Sequence, residues 1–228
     1  MFTMSLPYRG AATDPFAASV IALLPFNGAN GSTVFTDLAS SQVWAQELGS
    51  PTITTAQSKW GGASIQGTSS GSIAISGPGS QWLLDGDYSV ECWILTNANG
   101  GGAAAINIVC ASGNIDLNIT VGGGGITHAR AGDSGIGASD GGGSIYGRWI
   151  HAFIGRQGTT NYAACNGVMS STPGNTSVIS GPVTRVAACF QSSLGGSPYL
   201  YLDDLRVTRG VCRHTSSFAV PTGPYTYP

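Results

Sequence analysis

The chain has 228 residues, a net charge of -2, and only 9% charged residues. Bulk attraction to nucleic acid or to anionic lipid is therefore excluded. The length suits one large domain, long enough to bury a core without disulfide staples. Charged residues usually make up about a quarter of a chain, and Lys59 is the only lysine. A surface this poor in charge is a solubility liability for a free monomer, which favours a homo-oligomer or a place in a larger assembly.

Residues 1–18 read as an N-terminal docking arm, because Pro7, Arg9-Gly10 and Asp14-Pro15 break both helix and strand periods. The apolar stretch that follows, 19–26, reads as a strand and not as a signal-peptide core. It lacks a basic leading region and runs straight into a turn. No run approaches the roughly 18 apolar residues of a membrane span, so no membrane insertion is expected. From Val20 onward the pattern predicts short strands at 20–26, 43–47, 64–66, 72–75, 89–95, 105–111, 115–121, 149–156, 162–166, 185–190 and 199–208. Asn-Gly, Gly-Pro, Asp-Gly and Ser-Gly pairs separate them. The one helix-like window, 16–24, is short and meets Pro25. The expected fold class is all-β: a two-sheet antiparallel β-sandwich of jelly-roll type with little helix. The expected division is a sandwich over 19–210 and a Pro-rich tail over 211–228 that packs on the domain or on a partner.

Glycine numbers 35 and clusters at 99–102, 122–125 and 132–143, which read as loop tips. With no Gly-Lys-Ser/Thr triplet entering a helix, they are not phosphate cradles. The cysteines at 92, 110, 165, 189 and 212 are an odd count with no Cys-x-x-Cys spacing. Cys92 and Cys189 read as small buried hydrophobes. Free thiols point to folding in a reducing cytosol, and sequence cannot pair any of the five in a disulfide.

Along 88–95, Tyr88, Val90, Cys92 and Ile94 share one face and Glu91, Trp93 and Leu95 the other. In the last strand a strict alternation puts Asp203 with Leu205 and Val207, and Asp204 with Arg206 and Thr208. A buried Asp203 must accept hydrogen bonds, and backbone amides of a neighbouring loop are the expected donors. With Asp204 on the opposite face the pair does not read as metal ligands, unless a bulge lies between them.

The carboxylates offer no hydrolase pair. Glu47 and Glu91 are the only glutamates, they lie on different predicted strands, and neither has an acidic residue at i+2 or i+4. His151 reads as a packed strand residue and His128 as exposed beside Arg130 in a Gly-flanked loop. His214 has nothing at ligand spacing. No Gly-x-Ser-x-Gly elbow supports a triad. Asp85, Asp87, Asp133 and Asp140 are the loop aspartates that calcium could use, but none completes a recognisable loop. No catalytic, cofactor or metal residue is assigned. For a sugar, the aromatic platforms on offer are Trp82, Trp93, Trp149 and Tyr146, and Trp82 is expected to be the most exposed because it follows Pro78-Gly79-Ser-Gln.

Several segments, in order, resemble the laminin-G-like, concanavalin A-like jelly roll in the variant common in tailed-bacteriophage virion proteins. They are Val20-Ile-Ala-Leu-Leu-Pro-Phe26-Asn-Gly28 with Gly31-Ser-Thr-Val-Phe35-Thr-Asp37; Thr54-Thr-Ala-Gln-Ser-Lys59-Trp60-Gly61-Gly62-Ala-Ser64; and Gly86-Asp87-Tyr88-Ser-Val-Glu91-Cys-Trp93-Ile94. The last is Tyr199-Leu-Tyr-Leu-Asp203-Asp204-Leu-Arg206-Val-Thr208-Arg-Gly210, continued by Arg213-His-Thr-Ser-Ser-Phe218 and Pro221-Thr-Gly-Pro-Tyr225. Gly147-Arg-Trp149-Ile-His151 and residues 162–167 resemble the central strands of such domains, whereas Pro25 departs from the pattern. The resemblance implies a non-enzymatic structural or binding component of a bacteriophage virion, a capsid decoration or a tail or fibre protein. It would be assembled in the bacterial host cytoplasm, with other virion proteins as partners. It also implies two alternatives, a carbohydrate-binding module for host-surface glycans and, with less support, a glycoside hydrolase.

Overall fold

A computed structural model describes residues 14–67, 71–75, 78–96, 103–110, 115–122, 125–130, 135–173, 183–191 and 200–226. The first thirteen residues of the expected arm, and Asp133, lie outside these. The described residues form β1 (Val20–Leu24), β2 (Trp44–Leu48), β3 (Thr52–Thr54), β4 (Ser64–Gly67), β5 (Ser72–Ile75), β6 (Tyr88–Thr96), β7 (Ala103–Cys110) and β8 (Ile115–Gly122). They continue with β9 (Gly125–Arg130), β10 (Ile136–Ala138), β11 (Ile150–Gln157), β12 (Thr160–Cys165), β13 (Val168–Thr172), β14 (Val183–Gln191) and β15 (Leu200–Arg209). Two short 3-10 turns, Ala17–Ser19 and Ser80–Trp82, are the helical content, and no described helix is long and apolar enough to cross a membrane.

The strands make two antiparallel sheets. One runs β13-β12-β11-β6-β15-β4-β3, with β1 paired to the far half of β15. The other runs β10-β9-β8-β7-β14-β5-β2. Alternation explains how they stack. Val90, Cys92 and Ile94 of β6, Leu202, Leu205 and Val207 of β15, and Ile150, Ala152 and Ile154 of β11 enter one core. Ile73, Ile106, Ile119, Ile126 and Val186 meet them from the other sheet.

The four strands the sequence pattern missed share a cause. β3 and β10 are three residues long, β9 starts from a glycine cluster, and β13 is an edge strand with no buried residue to mark a period. The cluster at 132–143 is thus not all loop tip. His128 is also relocated: it lies in β9, in register with Ile119 and Ile136, and not in a loop.

The strict alternation in β15 is corrected too. Its register against β6 shifts between Asp203 and Arg206, and Asp204 has φ 54. That extra residue is a β-bulge. It keeps Leu202 and Leu205 both in the core and turns Asp203 away from Leu205 and Val207.

The outer face of the β6–β11–β15 region is covered by the chain's own ends. Tyr225 is buried there, and Phe218 packs edge-on against His151 and Phe153. Residues 211–225 form a strap over this face, tied to the β12–β13 turn where Phe218 N–H donates to Gly167 O at 3.0 Å. That turn is Asn166-Gly167, with φ 47 and 79, the positive pair a two-residue hairpin of the I′ kind needs. A Cβ on Gly167 would sit 2.0 Å from Phe218 O. Gly167→Ala is therefore expected to destabilise by about 2–4 kcal/mol, since it combines φ strain with a backbone clash. Urea unfolding checks the loss, and amide exchange at 217–220 should rise before the core strands open.

Candidate functional site

Three groups of polar residues could carry function, and burial separates them. The first lies under the strap. Glu91 and His151, on β6 and β11, are both fully buried. Arg206 Nη2 and Nε donate to Glu91 Oε1 at 2.7 and 3.0 Å. The Tyr225 hydroxyl donates to Glu91 Oε2 at 3.2 Å and lies 2.7 Å from His151 Nε2. Arg206 stacks 3.8 Å over the Tyr225 ring and also meets Asp14 at 3.2 Å, and Asp14 in turn receives both Nη atoms of Arg213 at 2.9 Å. Burial alone would raise Glu91, yet the His151 ring and Arg206 outweigh it and hold the carboxyl well below the usual carboxylate range. An acid, a histidine and a tyrosine thus meet here with no open face for a substrate. The expected packed role of His151 matches this position.

The second group is the bulge. Asp203 Oδ2 accepts from Lys59 N–H at 2.7 Å and Trp60 N–H at 3.0 Å, the loop amides expected for it. Asp204 Oδ2 accepts from Tyr225 N–H at 2.7 Å. Each carboxylate keeps its Oδ1 buried without a partner. Burial pushes Asp203 up to about 6 and Asp204 up to about 7. Beside them Lys59 Nζ lies 4.0 Å from the Trp93 ring and 5.0 Å from that of Trp60, so Trp93 is enclosed.

The third group is open. Residues 139–149 join β10 to β11. Ile145 at their centre is buried in the core, and Gly147 N–H donates to Thr96 O at 2.8 Å. Asp140 sets the loop's shape. It takes Arg148 on both oxygens at 2.8 and 3.1 Å, Asn166 Nδ2 at 2.6 Å and Gly142 N–H at 2.9 Å. The Arg148 bonds, then those from Asn166 and Gly142, hold the Asp140 carboxyl well below its ordinary value. Asn166 Oδ1 accepts His151 N–H at 2.8 Å, which ties the loop to β11. Beside this latch Tyr146 and Trp149 are partly exposed on a fixed backbone, Tyr146 with its inner side on the core.

Of the four aromatic platforms, Tyr146 and Trp149 remain available. Trp93 is buried, and Trp82 is corrected from most exposed to 0% exposed, because the 3-10 turn Ser80–Trp82 points it into the core at 5.8 Å from Trp44. Among the calcium candidates, Asp140 is occupied by Arg148 and Asp87 Oδ1 accepts Gly158 N–H at 2.8 Å. No three His, Cys, Asp or Glu residues gather at metal distance among the described residues. Cys92, Cys165 and Cys212 form no disulfide, while the side chains of Cys110 and Cys189 lie outside the description. Burial pushes the Cys165 thiol up to about 11 and Cys212 to about 12, so both stay protonated.

No protein-family model and no curated protein matches the chain. Solved structures do. The binding domain of botulinum neurotoxin DC, in complex with rat synaptotagmin II, aligns at 12% identity and TM-score 0.62 over 85% of this chain and 48% of its own. The serotype D binding domain aligns at 12% and 0.62 over 90% and 50%. Botulinum neurotoxin type C, which depends on interaction with two ganglioside molecules to enter cells, aligns at 11% and 0.60 over 85% and 48%. The chain spans about half the length of these structures. At such identities the likeness is one of fold, a β-sandwich with jelly-roll features.

The bulge pair has a testable sign. Asp203 and Asp204 hold protons when folded that the unfolded chain releases above its carboxylate pKa of 3.8. Their contribution is therefore greatest near pH 4 and is lost as pH rises to about 7. Asp204→Asn keeps an acceptor for Tyr225 N–H and has no proton to lose. It is expected to gain on the parent by up to about 4 kcal/mol at pH 8 and by little at pH 4, read from urea unfolding across that range.

Proposed function

We propose that the chain is a non-catalytic recognition module that binds glycans through the 139–149 loop. The observation that carries this reading is the pair Tyr146 and Trp149, partly exposed on a loop whose backbone is fixed by the Asp140–Arg148–Asn166 latch, with Tyr146 resting on the core by its inner side. Sugars are recognised by flat aromatic faces against their C–H groups, with nearby hydroxyls and amides for orientation. The exposed Ser144 hydroxyl, which accepts Tyr146 N–H and can still donate, supplies the second part; the Gly141 and Gly142 amides are taken by Ser139 and Asp140. The neighbours lend support from outside: one neurotoxin DC structure is in complex with SialylT, and the type C toxin depends on gangliosides. A non-catalytic role fits the carboxylates, since Glu91 is sealed and Glu47 is held by Arg185 and Ser72.

The test is a glycan array followed by calorimetry. Tyr146→Ala and Trp149→Ala are each expected to weaken the best glycan at least about tenfold; because Tyr146 also packs against the core, binding by its variant is read well below that variant's own melting temperature. Silence of the parent protein at millimolar sugar, or unchanged binding by both variants, would sink the reading.

A second reading, a component of a bacteriophage particle, is favoured by one feature: four of the five large hydrophobics exposed among the described residues, Val34, Leu38, Val43 and Leu48, gather around β2. Capsid, portal or tail-fibre genes beside this one would support it.

A further inference from the structure

Charge in this chain is fastened down almost everywhere. Among the described side chains, the lysine and every arginine, aspartate and glutamate except two are bonded to, or stacked on, another part of the molecule. The two exceptions are Asp85 and Arg209. Both are exposed, both line the same recess of about 460 Å³, and they make no ion pair with each other.

The recess sits at one end of the sandwich. Asp85-Gly86-Asp87 leads into β6, Arg209 ends β15, and Ile21 of β1 gives an apolar wall. Its frame is fixed. Asp87 Oδ1 accepts Gly158 N–H at 2.8 Å, and Gly210 N–H donates to Asp87 O at 2.7 Å. Gly86 and Gly210 leave the space open, since a Cβ at either would meet nothing within 4 Å. The 139–149 loop belongs to the other end, where Gly147 N–H donates to Thr96 O at the close of β6. The rise of a strand, about 3.3 Å per residue, puts about 26 Å between the two ends of β6.

We propose that this recess binds a small amino acid zwitterion, its ammonium held by Asp85 and the remaining Oδ2 of Asp87 and its carboxylate held by Arg209. Two carboxylates and one guanidinium leave the recess one negative charge in excess. An anion alone would face the two carboxylates, and a cation alone would leave the guanidinium without a partner. A neutral ligand would desolvate all three groups and pair none of their charges. A planar guanidinium also matches a carboxylate through two parallel hydrogen bonds. Because Asp85 and Arg209 do not pair with each other, a ligand that spans them breaks no bond on entry.

The experiment is calorimetry on the full-length chain with glycine, β-alanine, γ-aminobutyrate and 5-aminopentanoate, a series that steps the ammonium away from the carboxylate. At least one should bind with a Kd of about 1 mM or tighter at low salt. For the best of them, the N-acetyl form, which lacks the ammonium, and the amide, which lacks the carboxylate, should each bind at least about tenfold more weakly. Arg209→Gln and Asp85→Asn should each weaken the intact ligand by a similar factor. Both should leave thermal unfolding unchanged, since neither side chain holds another part of the chain. The series contains no sugar, so its outcome is independent of the glycan array. Three results would overturn the proposal: no member of the series binding at about 10 mM, binding that survives loss of either charged group of the ligand, and binding that either substitution leaves unchanged.

Discussion

The ion pair between Glu91 and Arg206 determines how the rest of the molecule is arranged. A carboxylate buried in the middle of β6 is tolerable only with a cation and further donors in place. Arg206, directly across on β15, supplies the first, and Tyr225 supplies the next. Arg206 then needs its own remaining donors engaged, which brings Asp14 to the same spot, and Asp14 brings Arg213. Two segments separated by the whole sandwich, 14–16 and 211–225, are thereby fixed on one sheet face. The face is closed as a result, which leaves loops at the sandwich ends and the sheet edges as the exposed surfaces.

The bulge at Asp203–Arg206 belongs to the same arrangement. Were the same residues in strict alternation without the bulge, Leu205 and Arg206 would exchange faces, and the guanidinium would enter the core. The positive φ of Asp204 is the local cost of presenting Arg206 outward while Leu202 and Leu205 both face inward. Glu91 and Asp14 bear on stability in the opposite sense to Asp203 and Asp204. The first two are held below their ordinary range and lose their contribution in acid. The second two are raised and lose theirs as pH climbs. The strap is held by both kinds of group, so its grip should be best at mildly acid pH.

Much of this was readable from residues alone, and the failures have physical reasons. Inward and outward faces of β6 follow from a period of two, and Asp203 had to find backbone donors because a carboxylate on a packed strand has no alternative. A bulge between Asp203 and Asp204 is conceivable from sequence but not decidable, because a hydrophobic period says nothing about one inserted residue between charged neighbours. Trp82 was misplaced because a Pro-Gly-Ser approach signals a turn without saying which way the turn aims the ring. His128 was misplaced because glycine-rich flanks hide strands whose pairing is supplied by partners across the sheet. The latch on 139–149 needed Asp140, Arg148 and Asn166 to come together, and no spacing in sequence announces a contact between a loop and a distant hairpin turn.

The scarcity of charge also becomes intelligible. Lys59, Arg148, Arg156, Arg185, Arg206 and Arg213 are six of nine cationic residues, and each is turned onto another part of the chain: an indole ring, a carboxylate or a carbonyl. The few charges serve as internal fasteners for loops and termini and contribute little to a repelling surface. A molecule arranged this way has weak electrostatic defence against contact. What it offers outward is aromatic and hydroxyl-bearing at the 139–149 loop and apolar at β2, two surfaces suited to neutral ligands and to neighbours whose fit rests on shape and burial.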